Sequence, residues 1–363
     1  MPEIRSAGYS VYINTSIAKE INRFFRAAKD KYSRLFILVD ENSLRHCYPG
    51  LVEQVEYFKT AELIEIESGE ENKSLEVCAQ IWSTLSELGA DRHSLFVNLG
   101  GGVISDMGGF IASTFKRGID FINIPTTLLS QVDASVGGKT GIDLHHLKNE
   151  IGVFANPAAV FINNDFIRTL DRRQVLSGFA EMIKHALIAD AAYWERLLQH
   201  KPAQAEGLEE LIHISVQIKN AVVQEDPKES GKRKILNFGH TIGHAIESCS
   251  LETDPENPLL HGEAIAVGMV CEAWLSYKIC GLPEKELQSI TRFILKTYRK
   301  ISIEKMSPGR LSELMKHDKK NEKDDIRFSL LTNIGSCEIN KSATVELINE
   351  SLNYYTQEVK LLK

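Results

Sequence analysis

Residues 94–106 read SLFVNLGGGVISD. A run of aromatic and branched apolar residues stops at three glycines, and a helix-like pattern follows. Glycines at such a turn let backbone N–H groups come close to a phosphate at a helix N-terminus, where the dipole favours an anion. The stretch is not the usual dinucleotide fingerprint, because Ser105 stands where its third glycine would be. A plain tight strand-to-helix turn is an equally good reading of it. Working outward, LFILVD (35–40), DFINIPTT (120–127) and AAVFIN (158–163) are similar short apolar runs bounded by turn residues. SLEVCAQIWSTLSELG (74–89) between them has helical periodicity. Apolar strands separated by helices predict a parallel sheet covered on both faces. Asp40, ending the first of these runs, suits a ribose hydroxyl or a helix N-cap equally well.

From about Asp165 the pattern changes. SGFAEMIKHALIAD, EELIHISVQIKNAVVQ, LNFGHTIGHAIESC and EAIAVGMVCEAWLSYKI all read as helices, with few strand candidates. The expected fold is α/β: an N-terminal parallel-sheet nucleotide-binding domain over 1–164, then a mostly helical metal- and substrate-binding domain over 165–363. ETDPENP (252–258) and KHDKKNEKDD (316–325) read as loops. The formal net charge of −7 excludes a global basic surface for nucleic acid, so any anion site must be a local cluster of cations. No apolar run approaches the ~18 residues of a membrane helix. The N-terminal MPEIRSAGYSVYIN lacks the apolar stretch of a signal peptide. Six cysteines form no CxxC pair and read as reduced thiols of a cytoplasmic protein.

His240 and His244, four apart in NFGHTIGHAIE, fall on one helical face, as a metal site needs. Two further groups suit the same site. Glu181 is a lone carboxylate in an apolar helical stretch, where burial would be costly. His261 precedes another apolar helix. Two histidines, one carboxylate and an open fourth position describe a catalytic zinc site. Each histidine taken alone reads as an ordinary hydrogen-bonded residue. Cations also sit inside apolar or glycine-rich segments: Arg117, Lys139, Lys148, Lys184, Lys219, Arg233 and the pair Lys319–Lys320. A solvated face explains Lys232, Lys234 and most of 316–325 better. It explains Lys139 and Lys184 poorly, since their neighbours are small or apolar. Cations converging on one site suit a substrate with a phosphate and a carboxylate.

GGGVISDMGGF, RGIDFINIPTTLLSQVDASVGGKTGID, KNEIGVF, FAEMIKHALI, LNFGHTIGHAIE, HGEAIAVGM and DKKN occur in the order found in the 3-dehydroquinate synthases, a family of sugar-phosphate cyclases. The chain resembles that family over roughly residues 35–335. The resemblance implies zinc, with cobalt as an alternative, on Glu181, His240 and His261, and it turns His244 towards substrate instead. It implies NAD contacts at Asp40, Asn42, Glu70, Lys73, Gly101, Gly102, Asp106, Thr126, Thr127, Lys148 and Thr169. Substrate contacts fall on Asp133, Lys139, Asn149, Lys184, Lys219, Arg233, Asn237, His244, Lys319 and Lys320. Arg117 matches an arginine that reaches the partner subunit's site, which implies a homodimer. The implied substrate is a small sugar-acid phosphate, with no nucleic-acid or membrane partner. Transient oxidation by NAD, phosphate elimination, re-reduction and aldol closure are the implied chemistry. The chain has Leu147 before Lys148-Asn149 and Glu67-Ser68 before Gly69-Glu70, where the family often has Gly and Pro; both touch only loop shape. A sibling cyclase acting on a sugar phosphate without a carboxylate would leave Arg233 and Lys219 buried and unpaired. A metal-dependent polyol dehydrogenase would consume NAD stoichiometrically. A non-enzymatic nucleotide-binding protein would need no metal set.

Overall fold

The structure is a computed structural model that describes residues 3–13, 16–29, 31–144, 147–202, 204, 206–298, 301–316 and 326–361. Lys319 and Lys320 lie outside the described residues. The chain forms two compact units, Met1–Asp171 with Leu208–Asn220, and Arg172–Gly207 with Ala221–Lys363.

The first unit is built on a seven-stranded sheet. Its strands are β1 (Glu3–Arg5), β2 (Ser10–Ile13), β3 (Leu35–Asp40), β4 (Glu62–Ile66), β5 (Leu95–Gly100), β6 (Asp120–Pro125) and β9 (Ala159–Ile162), in the spatial order β1-β2-β9-β6-β5-β3-β4. All neighbours run parallel except β1 and β2. The four runs read from the sequence are β3, β5, β6 and β9. Alternation along β3 explains why both faces are covered: Ile37 and Val39 enter a core with Ile17, Ile21, Leu51 and Phe58, whereas Phe36 and Leu38 enter one with Ile81, Leu85, Met107 and Ile111. Two of the other strands have little apolar pattern to read. β4 buries only Ile64, and β1 is three residues long. An antiparallel hairpin of β7 (Lys139–Leu144) and β8 (Leu147–Phe154) adds a second, small sheet to this unit.

In the second unit the helices Arg172–Ala189, His240–Thr253 and His261–Ile279 carry the candidate metal residues. The hairpin β10 (Arg327–Asn333) and β11 (Ser336–Ser342) is the strand element that helical periodicity did not foresee. β11 reads SCEINKS and alternates only between exposed and half-buried positions, so it carries no apolar signal. Two helix pairs approach through glycine. A Cβ on Gly262 would lie 2.0 Å from the Ser177 carbonyl oxygen, and one on Gly268 would lie 2.0 Å from that of Gly239.

Both clashes are with backbone, which no rotamer relieves. Gly268→Ala should therefore destabilise the protein by about 1–3 kcal/mol or more, read as a lower urea midpoint. Gly309→Ala, where an added Cβ meets nothing within 4 Å, should stay within about 1 kcal/mol of the parent.

Candidate active site

The α/β unit gathers the residues expected to meet a nucleotide around the C-terminal ends of its strands. The helix Gly102–Thr114 starts at Gly101 with no side chain capping it. A Cβ on Gly101 would come within 3.1 Å of Thr127 Cγ2. Open N–H groups and a glycine-lined approach fit the phosphate of a dinucleotide. Thr126 N–H donates to the Gly100 carbonyl at 2.9 Å, tying the PTT turn to that glycine loop. Thr127 exchanges hydrogen bonds with Ser130, and Thr169 Oγ1 donates to the Phe166 carbonyl. Asp40 Oδ1 accepts the Ser43 N–H at 2.7 Å, so the cap reading of Asp40 is realised in the structure. Asn42 lies exposed in the capped helix.

Lys73, 3% exposed, donates from Nζ to Asp106 Oδ2 and to Asn149 Oδ1, both at 2.7 Å. Glu70 lies 3.9 Å from Lys73 and 3.4 Å from Lys148. Burial opposes the Lys73 charge, but Asp106, Glu70 and Asp143 outweigh it and hold the ammonium pKa above its ordinary value. Asn149 adopts a left-handed φ of 54° and donates its N–H to Asp143. Lys219, also buried, pairs with Asp133 Oδ1 at 2.7 Å. Lys139 is exposed at the start of β7. Arg117 is exposed on a turn whose residues Lys116, Arg117 and Gly118 have φ of 49°, 71° and 110°.

In the helical unit Glu181 has no exposed surface. Its Oε1 lies 3.5 Å from His240 Nε2 and 3.3 Å from His261 Nε2, and the three donor atoms all lie within 4.8 Å of one another. Lys184, one turn along the same helix, holds the other carboxylate oxygen. His240 Nδ1 lies 3.1 Å from the Phe238 carbonyl, and His261 Nδ1 lies 3.3 Å from Glu247 Oε2. A carbonyl only accepts, so Nδ1 of His240 carries the proton and Nε2 offers its lone pair towards Glu181. Carboxylate and carbonyl partners behind the ring are what metal-ligating histidines need. Two imidazole nitrogens and one carboxylate oxygen are a donor set of the kind that can hold a divalent metal ion.

His240 sits well below the usual histidine pKa because it is buried and faces the Lys184 ammonium. His261 is pushed up to about 9: burial works against its charge, but Glu247 and Glu181 outweigh it. His244 completes a triangle of imidazoles, 5.1 Å from His240 and 5.8 Å from His261 between ring centres. A second donor set, His244, Glu247 and His261, overlaps the first.

Arg233 is 2% exposed, and its Nη1 donates to the Pro227 carbonyl at 2.7 Å. Its backbone is fixed by Asp226, whose carboxylate accepts N–H groups of Ser230, Gly231 and Arg233. Burial raises the Asp226 pKa, but these bonds and the Ser230 hydroxyl outweigh it and hold it at about 2. Asn237 Nδ2 donates to Glu229. The neighbouring Lys232 is exposed and paired with Glu225, as its polar run suggests.

Sequence reasoning missed the residues that hold these side chains in place. Glu247 stands seven residues after His240, two helical turns along one face, and that spacing was a usable signal. Arg173 grips Glu263 with Nε and Nη2, both at 2.7 Å, and reaches the Pro258 carbonyl at 2.6 Å. Together with the Gly262 N–H bond to Ser177 Oγ, this fastens the start of the His261 helix to the Glu181 helix. No local pattern marks that pair.

The same architecture recurs in solved structures. A 2-deoxy-scyllo-inosose synthase complexed with carbaglucose-6-phosphate, NAD+ and Co2+ superposes with a TM-score of 0.83 at 24% identity, covering 97% of this chain and 99% of the other. The 2-epi-5-epi-valiolone synthase of Streptomyces hygroscopicus, with NAD+ and Zn2+ bound, gives 0.81 at 24% identity, covering 98% and 99%. A glycerol dehydrogenase from Schizosaccharomyces pombe gives 0.67 at 15% identity, covering 99% and 91%. The fold is thus that of the sugar-phosphate cyclases and of dehydrogenases built alike. Within it, residues 63–177 match the 3-dehydroquinate synthase N-terminal family and residues 178–321 the C-terminal one. The 3-dehydroquinate synthase of Parabacteroides distasonis is 48% identical over 349 residues, 96% of this chain and 98% of that one. That of Clostridium tetani is 37% identical over 364 residues, 97% and 96% of the two chains. The chain belongs to the 3-dehydroquinate synthase family.

Glu181→Ala, His240→Ala and His261→Ala should each lose most bound divalent metal, measured by elemental analysis after dialysis, whereas His244→Ala should keep it. An empty His244→Ala site beside a filled His261→Ala site would favour the second donor set. Asp226 binds its proton more weakly folded than unfolded, so its stabilisation is complete above about pH 4 and fades as pH falls towards 2. The urea-midpoint gap between the parent and Asp226→Asn should therefore be constant from pH 7 to 5 and shrink by pH 3.5.

Proposed function

We propose that this protein converts 3-deoxy-D-arabino-heptulosonate 7-phosphate to 3-dehydroquinate and phosphate, acting as a phosphate-eliminating carbon–oxygen lyase in the shikimate route to aromatic amino acids. The observation that carries this reading is the convergence of Glu181 Oε1, His240 Nε2 and His261 Nε2, each backed by its own partner, in a chain of this family. Bound to those three atoms and to the glycine turn, a divalent cation (zinc, with cobalt as an alternative) and NAD+ supply a Lewis acid and a hydride acceptor that is regenerated each turnover.

The chain's own residues bind and orient. Gly101 and Gly102 with Thr126 and Thr127 receive the dinucleotide phosphates, and Asp40, Asn42, Glu70, Lys73, Asp106, Lys148 and Thr169 line the rest of the cofactor. Lys73 keeps Asp106 and Asn149 in register with each other. Lys184 holds Glu181 so that one oxygen remains for the cation. Lys139, Asn149, His244 and the partner copy's arginine equivalent to Arg117 hold the substrate phosphate. Arg233 takes the carboxylate through its planar fork, with Lys219 and Asp133 beside Asn237 and the Lys319–Lys320 pair completing the substrate contacts. Exposure of Arg117 on a left-handed turn supports a residue used across a homodimer. The six cysteines, all free, support a cytoplasmic enzyme.

The test is phosphate release from the heptulosonate phosphate by enzyme stripped of NAD and then resupplied. Activity should return with no net NADH, and Arg233→Ala should lower kcat/KM by on the order of 10–100-fold, the worth of a charge-assisted hydrogen bond. NADH accumulating in step with substrate would support a polyol dehydrogenase instead. An unchanged Arg233→Ala would reopen a substrate without a carboxylate.

A further inference from the structure

The helix His240–Thr253 begins in an unusual way. Its N-cap residue is Gly239, which has no side chain to receive the first N–H groups and holds a left-handed φ of 79°. Glu272, from the middle of the neighbouring helix His261–Ile279, takes that role. Its Oε2 accepts the Gly239 N–H at 2.7 Å and its Oε1 accepts the Ile242 N–H at 3.0 Å. A capping box satisfies the N-cap and third-residue N–H groups with two side chains of the same helix. Here one carboxylate from another helix satisfies both. Glu272 has no exposed surface, so this pairing is made in a low-dielectric setting where an unsatisfied group is expensive. The carboxylate also opposes the positive end of the helix dipole.

Between the two anchored N–H groups lie His240, first in the helix, and Thr241. The His240 ring is set from behind by the Phe238 carbonyl, so the main chain from Phe238 to Ile242 fixes both the position and the tilt of the imidazole. Glu272 stands on the helix that opens with His261, the other imidazole facing Glu181. Eleven residues separate them, about three turns, which puts both on one helical face. The same helix bears Gly268, whose close approach to the Gly239 carbonyl holds the two main chains together. Glu272 thus ties the backbone under one metal-facing histidine to the helix that carries the other.

We infer that Glu272 is a positioning residue of the metal centre: it touches neither metal nor substrate, and it sets metal affinity by locking the first turn of the His240 helix. The inference rests on the reading of Glu181, His240 and His261 as ligands. Glu272→Gln keeps size and one acceptor oxygen but turns an NH2 group towards a backbone N–H. Glu272→Asp keeps the charge with a reach one methylene shorter. Metal affinity is measured on purified folded protein by chelator competition with Zn2+, and ligand geometry by the visible d–d spectrum of the Co2+-loaded form, with urea unfolding followed in parallel. Glu272→Gln should bind metal 10–100-fold more weakly with an altered Co2+ spectrum, and Glu272→Asp should fall between it and the parent. If Glu272→Gln does not fold, the Glu272→Asp affinity and spectrum decide alone. A purely structural role predicts lower stability with unchanged affinity and spectrum in the folded protein, and that result would overturn the inference. A parent protein that binds no metal at Glu181, His240 and His261 would instead sink the reading of the site itself.

Discussion

Glu181 is a carboxylate with no exposed surface, and the helical unit is organised around that burden. Removing such a charge from water costs several kcal/mol even after relaxation, unless partners surround it. Its own helix supplies Lys184. The rest must come from elsewhere in the chain, and His240 and His261 arrive at the first residues of two other helices. Residues at a helix start have main-chain N–H groups to satisfy as well. That need explains why the same neighbourhood holds Glu272 beneath one helix start, and Arg173, Glu263 and Ser177 around the other. The buried acids and their partners form one connected requirement, and a divalent cation is a natural member of it.

The α/β unit solves the mirror problem. There the buried group is an ammonium, Lys73, and the surrounding carboxylates and amide come from a 3-10 turn, a helix and the β7–β8 hairpin. Asn149 meets Lys73 from a left-handed conformation that asparagine tolerates better than most residues. A second polar contact lies deep in the sheet, where Asn98 on β5 donates to its registered neighbour Asn123 on β6, and Asn123 donates to the Ser135 carbonyl. These amides tie the sheet interior to the loop that follows Asp133.

Apolar pattern carried most of the fold. β3, β5, β6 and β9 are long enough and apolar enough to announce themselves, and the helices of the second half show their periodicity. What escaped was either short, such as β1, or polar on its visible face, such as β4 and β11. The segment Leu208–Asn220 keeps company with the α/β unit through contacts such as Asn220 with the Arg5 carbonyl, and sequence proximity says nothing about a partner 215 residues away. At the site, a lone acid in an apolar helix was informative for Glu181. The same signal was present at Glu272, in AVGMVCEAWL, and at Glu247, and went unread. Spacing alone paired His240 with His244; it does not reveal which imidazoles face Glu181, and in the structure those are His240 and His261.

The glycine contacts between helices also have a mechanical meaning. Where Gly268 meets Gly239 and Gly262 meets Ser177, the spacing between helices is set by main-chain atoms in hard contact, with no side chain acting as a shim. Side-chain packing can relax by a change of rotamer, whereas a main-chain contact has almost no soft direction, and close-packed interiors pass strain on with little loss. The distances among Glu181, His240 and His261 are therefore held by a stiff frame. Any cation held by these three groups would have to fit that frame, since the frame has little freedom to adjust to it.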